Sequence, residues 1–287
     1  MDANSMKTAA VLGSGTMGHG IAQVLAQSGI TTRMFDVAQA ALEKGLASVR
    51  SNLDKGVEKQ KLSASDRDAA LARLSITTDF AAAIRGVDVV IEAVPERIEL
   101  KTKLFGDLGR ALGPDVLLAT NTSSLPITEI GAAATHPERV VGMHFFNPVH
   151  LMKLVEVVKT PASSESAVRA AVELAVRLGK EPIVVQDAPG FASSRLGIAI
   201  GLEAMRMFEA GVASAEDIDK AMVLGYGFPM GPLKLTDLVG LDVRLSIAEH
   251  LARELGSRFE PPAILRDKVE RGELGKKSGR GFYTWPV

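Results

Sequence analysis

A glycine-rich segment near the start of the chain has the spacing of a dinucleotide-binding turn. Residues 13–18 read GSGTMG, the pattern G-x-G-x-x-G, and they follow a short apolar run. Gly13 allows a tight turn, Gly15 lets backbone N–H groups approach a pyrophosphate, and Gly18 allows a helix to pack closely on a strand. Asp36 follows at roughly the 20-residue distance expected of the acid that binds the ribose hydroxyls. Because a carboxylate there repels a 2′-phosphate, the pattern predicts NAD as the cofactor in preference to NADP.

Other polar residues follow the predicted strands at the end where open α/β sheets bind their ligands. Each stands at or just beyond the carboxyl end of an apolar run. They are Glu96, Asn121, Ser123, His144 and Asn147. A histidine at that edge can act as a general base, and the serine and asparagine can donate hydrogen bonds to a reacting oxygen.

Glu156 interrupts an otherwise apolar strand, where a carboxylate is costly unless it is paired. Only residues 146–152 connect this strand to the preceding one, whereas a parallel crossover needs about ten residues or more. The two strands are therefore predicted to be antiparallel. A turn centred on His150 places His144 directly opposite Glu156, with Cβ atoms about 5 Å apart. The sequence thus predicts a histidine base that a carboxylate orients.

The elements that position these residues alternate between strands and helices in the first part of the chain. Helices are expected at 18–29, 38–59 and 64–73. Strands are expected at 7–12, 31–35, 75–78, 88–94, 116–120, 140–145, 153–159 and 183–186. This alternation predicts an α/β fold with a Rossmann-type, mostly parallel sheet that contains one antiparallel pair.

From about Asp187 the pattern becomes helical only. Ser214 to Asp217 resembles a capping box that opens a helix ending by Gly225, and further helices are expected at 241–255 and 262–271. We therefore predict an NAD-binding domain over residues 1–186 and a smaller all-helical domain over residues 187–287.

Composition excludes several classes of protein. The 287 residues carry 33 Lys and Arg against 34 Asp and Glu, a net charge of −1, which argues against a nucleic-acid binder that works through bulk positive charge. Cysteine is absent, so disulfide scaffolds, thiolate zinc sites and cysteine nucleophiles are excluded. The histidines form no recognisable metal motif, and no metal is expected. No apolar run reaches the ~18 residues of a membrane span, and no secretory signal is recognisable, which predicts a cytoplasmic protein without a membrane partner.

Taken together, the motifs resemble the L-3-hydroxyacyl-CoA dehydrogenase family, particularly its bacterial 3-hydroxybutyryl-CoA dehydrogenase type. The resemblance covers nearly the whole chain. Its segments are GSGTMG at 13–18, EAVPE at 92–96, NTSSLPI at 121–127, GMHFFNPVHLMKLVEVV at 142–158, DAPGF at 187–191, GYGFPMGPLKLTDLVGLD at 225–242 and GKKSGRGFY at 275–283. The HFFNP and PMGP segments are the specific ones.

The resemblance implies interconversion of (3S)-3-hydroxyacyl-CoA and 3-ketoacyl-CoA with NAD, by a homodimer. It assigns catalytic roles to His144, Glu156, Ser123 and Asn147. The implied cofactor contacts are Gly13, Gly15, Thr16, Met17, Gly18, Asp36, Glu96, Lys101, Asn121 and Ser123. The implied substrate contacts are Ser123, Asn147, Lys59 and Ser194. The family often has asparagine where this chain has Ser194, so this assignment depends on a shorter side chain without an amide.

Two alternatives remain open at this level. Lys55, Lys59 and Lys61 form a basic end of a predicted helix, which from charge alone is a solvated surface. The chain could instead be an NAD-dependent dehydrogenase of a CoA-free hydroxy acid or sugar acid, since fold does not fix substrate. A non-enzymatic NAD-binding protein is disfavoured because Ser123, His144, Asn147 and Glu156 occur together. The motifs leave acyl chain length, physiological direction and pathway open.

Overall fold

The apolar segments of the N-terminal part form one eight-stranded sheet in a computed structural model, which describes residue 3 and residues 5–286. The strands are β1 (Thr8–Leu12), β2 (Thr31–Phe35), β3 (Leu74–Thr77), β4 (Val89–Glu92), β5 (Leu117–Thr120), β6 (Val140–Phe145), β7 (Leu154–Lys159) and β8 (Glu181–Gln186). Their order in the sheet is β3-β2-β1-β4-β5-β6-β7-β8. The order reverses beside β1, and such a reversal is where open α/β sheets bind ligands.

Every neighbouring pair is parallel except β6 and β7, which confirms the predicted mostly parallel sheet with one antiparallel pair. In the antiparallel pair His144 lies opposite Glu156, as the length of the connection predicts. The short connection fixes this register, and a slip of one residue would place the two side chains on opposite faces of the sheet.

Helices accompany the strands in this unit, which ends at Asp187. They are α1 (Gly18–Gln27), α2 (Gln39–Glu58), α3 (Ala64–Ala72), α4 (Phe80–Ile84), α5 (Ile98–Ala111), α6 (Ile127–Ala132) and α7 (Glu165–Arg177). Aliphatic side chains of α1 pack against the sheet in a fully buried core that includes Val11, Ile21, Leu25, Ile91 and Val141. The rigid core therefore lies directly behind the carboxyl ends of the strands.

Two strand boundaries differ from the sequence expectation for identifiable reasons. β8 begins at Glu181 and includes Pro182, whereas the pattern places its start at residue 183. Proline is tolerated there because β8 is an edge strand and needs fewer ladder hydrogen bonds. β4 ends at Glu92 instead of continuing to residue 94, because the Val94 N–H donates to the Glu92 carboxylate.

The second unit begins at Ala188 and is helical. Its helices are α8 (Ser193–Glu209), α9 (Ala215–Tyr226), α10 (Pro232–Val239), α11 (Leu241–Leu255) and α12 (Ala263–Glu270). Ser214 caps α9 by accepting from the Asp217 N–H at 3.1 Å, as predicted. The helix ends at Tyr226 and not by Gly225, because the left-handed residue that terminates it is Gly227, with φ of +72°. None of the described helices is long and apolar enough to cross a membrane.

The C-terminal segment of this unit is held by a buried carboxylate. Asp237 on α10 is 1% exposed and accepts hydrogen bonds from the backbone N–H groups of Phe282 and Tyr283, each at 2.9 Å, and from Trp285 Nε1 at 2.8 Å. Hydrogen bonds to a charged acceptor are stronger than neutral ones. Asp237 is therefore the main polar anchor of residues 282–285.

Replacing this anchor is expected to loosen the segment. Asp237→Ala removes three charge-assisted hydrogen bonds, and we expect a loss of about 3 kcal/mol in the free energy of unfolding of this unit. Urea unfolding followed by the fluorescence of Trp285, the single tryptophan, measures this loss. Asp267→Ala, on the exposed side of α12, is the matched control. Equal unfolding midpoints for the two variants would contradict the assignment.

Candidate active site

The glycine-rich turn has the geometry that a dinucleotide needs. Gly13 has φ of +102°, and a Cβ there would collide with the carbonyl of Ala93. A Cβ at Gly18 would collide with the carbonyl of Gly13, so the helix approaches the turn closely. Gly15 faces open space, and Thr16 and Met17 lead into α1 with exposed or half-buried side chains. The start of α1 therefore offers accessible backbone donors to a pyrophosphate.

Asp36 lies beside this turn and remains ionised. Its Oδ2 accepts hydrogen bonds from Ser14 N at 2.9 Å and from Ser14 Oγ at 2.8 Å. Burial alone would raise the pKa of Asp36, but these bonds and those from Ala38 and Val37 hold it below its usual value. Since its partners are all donors, the carboxylate remains an acceptor for hydroxyl groups.

An apolar cavity of about 420 Å³ adjoins Asp36 and fits the adenosine part of NAD. Its walls include Phe35, Val37, Phe80, Leu100 and Leu104. Flat apolar walls suit an adenine ring, and the acidic rim suits a ribose. The residues present therefore fit NAD.

A second group of polar side chains surrounds Glu96. Its Oε1 accepts from Thr122 Oγ1 at 2.5 Å and from the Ser123 N–H at 2.9 Å, and its Oε2 lies 3.3 Å from Lys101 Nζ. Burial would raise the pKa of Glu96, but the charge of Lys101 and these hydrogen bonds hold it below its usual value. Three residues implied by the resemblance, Glu96, Lys101 and Ser123, thus come together.

Glu92 is a member of this group that the sequence reading missed. It is fully buried at the end of β4, where its carboxylate accepts from Lys101 Nζ and Thr120 Oγ1, each at 2.6 Å. Lys101 itself is 1% exposed and joins the two carboxylates of Glu92 and Glu96. The sequence does contain a signal for Glu92, because it is a charged residue at the end of an apolar strand. A charged residue in an apolar strand is also the signal that identified Glu156.

His144 and Glu156 form a buried pair at the carboxyl end of β6. The distance from His144 Nδ1 to Glu156 Oε2 is 2.7 Å, with the histidine 7% and the glutamate 0% exposed. The Phe146 ring stands 4.5 Å from the imidazole, centroid to centroid. A carboxylate on Nδ1 fixes the orientation of the ring, and a ring held in this way can exchange a proton through Nε2.

One asparagine bonds to the strand of His144, and another follows that strand in sequence. Asn121 Oδ1 accepts from the Phe145 N–H at 2.9 Å, which links the end of β5 to the end of β6. Asn147 is exposed in the connection that follows β6. Asn121 therefore has a clear structural contact, whereas Asn147 presents its amide to solvent.

The remaining implied residues lie elsewhere. Lys59 is exposed at the end of α2, and Ser194 lies half-buried in the first turn of α8 in the second unit. Among the described residues, no group of three or more histidine or acidic side chains could hold a metal ion. The polar chemistry of the first unit is thus concentrated at His144, Glu156, Glu96 and Ser123.

Comparison with known proteins shows which family the chain resembles over nearly its full length. The model described as "3-hydroxyacyl-CoA dehydrogenase, NAD binding domain" matches residues 8–188, and that described as "3-hydroxyacyl-CoA dehydrogenase, C-terminal domain" matches residues 190–285. The chain is 42% identical over 285 residues to a 3-hydroxybutyryl-CoA dehydrogenase of Mycobacterium tuberculosis, covering 98% of this chain and 99% of that relative. It is 40% identical over 288 residues to the mitochondrial hydroxyacyl-coenzyme A dehydrogenase of Sus scrofa, covering 98% and 91%.

A solved structure agrees with both comparisons. The crystal structure of (S)-3-hydroxybutyryl-CoA dehydrogenase from Ralstonia eutropha matches with a TM-score of 0.94 and 40% identity, covering 99% of this chain and 100% of that one. Identity at this level over essentially the full length, together with both family models, confirms the resemblance and NAD as the cofactor. The chain belongs to the 3-hydroxyacyl-CoA dehydrogenase family, as an NAD-dependent dehydrogenase.

Proposed function

We propose that this protein interconverts a (3S)-3-hydroxyacyl-CoA and the 3-ketoacyl-CoA, with short acyl chains, 3-hydroxybutyryl-CoA and acetoacetyl-CoA, as its substrates. The observation that carries the proposal is the buried pair of His144 Nδ1 and Glu156 Oε2, 2.7 Å apart. The relatives named 3-hydroxybutyryl-CoA dehydrogenase support the short chain, and the name of the Ralstonia enzyme supports the (S) configuration.

In the proposed reaction, His144 moves the hydroxyl proton. In the oxidation direction, Nε2 takes the proton of the substrate hydroxyl as the C3–H bond breaks, and in reduction it returns that proton to the oxygen. NAD, when bound, supplies the ring that accepts the hydride from C3. Glu156 stabilises the positive imidazolium that this step creates, and burial of the pair strengthens that interaction.

Ser123 and Asn147 are proposed to donate hydrogen bonds to the reacting oxygen. Both side chains carry donors, and both follow strands at the same edge of the sheet as His144. The Glu96 carboxylate, which accepts from the Ser123 N–H, holds that residue in place. Donors fixed before the reaction stabilise developing alkoxide charge without reorganisation.

The CoA part of the substrate is proposed to contact Lys59, and its acyl end Ser194. Lys55 and Lys59 place ammonium groups at the end of α2, and an ammonium group suits a phosphate. A serine in place of the family asparagine keeps a hydroxyl donor at position 194.

We also propose a homodimer in the cytoplasm. The helical unit exposes apolar side chains on neighbouring helices α10 and α11, at Leu235, Leu238, Val239 and Val243, which suits a second copy. The absence of cysteine fits a reducing compartment. Residues 1–186 are proposed as the NAD-binding domain and residues 187–287 as the substrate-covering and dimerisation domain.

The proposed reaction is tested by mixing the protein with NADH and acetoacetyl-CoA and following NADH absorbance. We expect rapid loss with this pair, and rates lower by about 100-fold or more with NADPH, because Asp36 repels a 2′-phosphate. Free acetoacetate should give no measurable rate. Activity with acetoacetate equal to that with the thioester would instead support a CoA-free dehydrogenase, and no activity with NADH still bound would support a non-enzymatic role.

The base is tested with His144→Gln, which keeps a hydrogen-bond donor toward Glu156 but cannot exchange the proton. We expect kcat to fall by about 1,000-fold, with the Kd of NADH within about twofold of wild type. Glu156→Gln should lower kcat by about 100-fold, because a neutral amide stabilises the imidazolium less. His136→Gln, a partly exposed histidine beside Glu138, is the control. Wild-type turnover in His144→Gln would refute the mechanism.

The CoA contact is tested with Lys59→Ala. Loss of one charge–phosphate contact, worth about 1 kcal/mol, should raise the KM for acetoacetyl-CoA about fivefold and leave kcat and the KM for NADH nearly unchanged. Lys44→Ala, also exposed on α2, provides the control. Equal KM values for acetoacetyl-CoA in the two variants would contradict the CoA contact and indicate that Lys59 is a solvated surface residue.

A further inference from the structure

Lys180 is a buried cation that the proposed reaction does not use. It lies between α7 and β8 and is 7% exposed. Its Nζ donates to the main-chain carbonyls of Val149 at 2.5 Å and Met152 at 2.9 Å. In the described part of the chain no carboxylate pairs with it, and burial lowers its pKa. A buried ammonium is costly, so its contacts to two carbonyls need an explanation.

Both carbonyls belong to the connection that joins the strands of His144 and Glu156, here called the 146–153 connection. It also carries Asn147. Within it, the Pro148 carbonyl accepts from the N–H groups of Leu151 and Met152, each at 3.0 Å. The connection is thus a compact turn, and Lys180 binds the carbonyl groups that this turn leaves without backbone partners of its own.

The other side of the 146–153 connection rests on the helix that begins the dinucleotide site. Val149 is buried against Gly20 of α1, and a Cβ at Gly20 would lie 2.9 Å from Val149 Cβ. The connection therefore lies between the ammonium of Lys180 and the cofactor helix. Lys180 fixes the chain from one side, and the absence of a side chain at Gly20 lets it approach from the other.

The neighbouring charges are compatible with this arrangement. Burial lowers the pKa of His150, and the charges of Lys180, His19 and Lys55 lower it further. An imidazole held neutral in this way does not repel the nearby ammonium. The buried positive charge that contacts the carbonyls of the connection is then that of Lys180, since Lys153 is exposed and paired with Glu181.

We propose that Lys180 is a positioning residue for the reaction, which holds the 146–153 connection against α1 and thereby sets Asn147 and the His144–Glu156 pair relative to the cofactor site. The inference rests on the proposed function for the reaction that is measured. A displacement of about 1 Å in such a group can cost about 100-fold in rate. Because the described hydrogen bonds of Lys180 go to Val149 and Met152, and those of Asp36 Oδ2 to the dinucleotide turn, we expect cofactor binding not to depend on Lys180.

The test compares Lys180→Met, of similar length but without a donor, with Lys180→Arg, which keeps the charge. We expect kcat with acetoacetyl-CoA to fall 10- to 100-fold in Lys180→Met, while the KM for NADH stays within about twofold of wild type. In Lys180→Arg, kcat should be at least tenfold higher than in Lys180→Met. Lys153→Met removes the exposed lysine at the end of the connection, whose side chain pairs with Glu181, and should stay within twofold of wild type.

Amide hydrogen exchange gives a readout that does not depend on activity. The Leu151 and Met152 amides, bonded to Pro148, should exchange at least about tenfold faster in Lys180→Met than in wild type or Lys153→Met. If Lys180→Met does not fold, Lys180→Gln, which keeps one donor, is judged by the same two measurements.

The outcomes separate the two proposals. Wild-type protein inactive with acetoacetyl-CoA would refute the proposed function, while exchange at Leu151 and Met152 still tests the anchor. Three results would overturn the positioning role. The first is wild-type kcat in Lys180→Met, and the second is unchanged amide exchange at Leu151 and Met152. The third is an equal loss of kcat, NADH affinity and stability in Lys180→Met and Lys180→Arg.

Discussion

The structure depends on one constraint, the burial of the Glu156 carboxylate. A fully buried carboxylate is tolerated only with a close partner, and His144 supplies it at 2.7 Å. That pairing is made between β6 and β7, which are antiparallel in an otherwise parallel sheet. The short 146–153 connection makes the reversal possible, and the reversal places a histidine with a fixed orientation at the edge of the sheet where the cofactor site also lies. The antiparallel strand pair of this sheet is therefore the feature that brings the candidate catalytic residues together.

The same rule organises the neighbouring strand ends. Glu92 and Glu96 share the buried ammonium of Lys101, and Thr120 and Thr122 complete their hydrogen bonds. These contacts join β4, α5 and the segment after β5, so Ser123 is held by a network and not by a flexible loop. Paired charges, of which Glu92 and Lys101 are buried and Glu96 is partly exposed, act here as cross-links between elements.

The dinucleotide turn, in contrast to these paired side chains, depends on positions that have no side chain. Gly13 and Gly18 are required because any side chain would collide with a carbonyl, and Gly15 leaves the start of α1 accessible. Asp36 and Asp107 both line the adjoining cavity, and Asp36 is the one hydrogen-bonded to Ser14 of the turn. The proposed cofactor contacts are thus backbone groups and one carboxylate, whereas the proposed reaction uses a buried ionisable pair. Variants of the two groups should therefore separate binding from turnover.

The sequence by itself determined the features that depend on local spacing. The G-x-G-x-x-G turn, Asp36, the mostly parallel sheet and the pairing of His144 with Glu156 all follow from short segments, because strand periodicity and a connection too short for a parallel crossover leave few arrangements. The tertiary structure alone decided the contacts between distant segments. Glu92 with Lys101 and Thr120, and Lys180 with Val149 and Met152, join residues whose proximity depends on how strands and helices pack. Proline in β8 was acceptable only because packing left that strand at the edge, a position that no local pattern encodes.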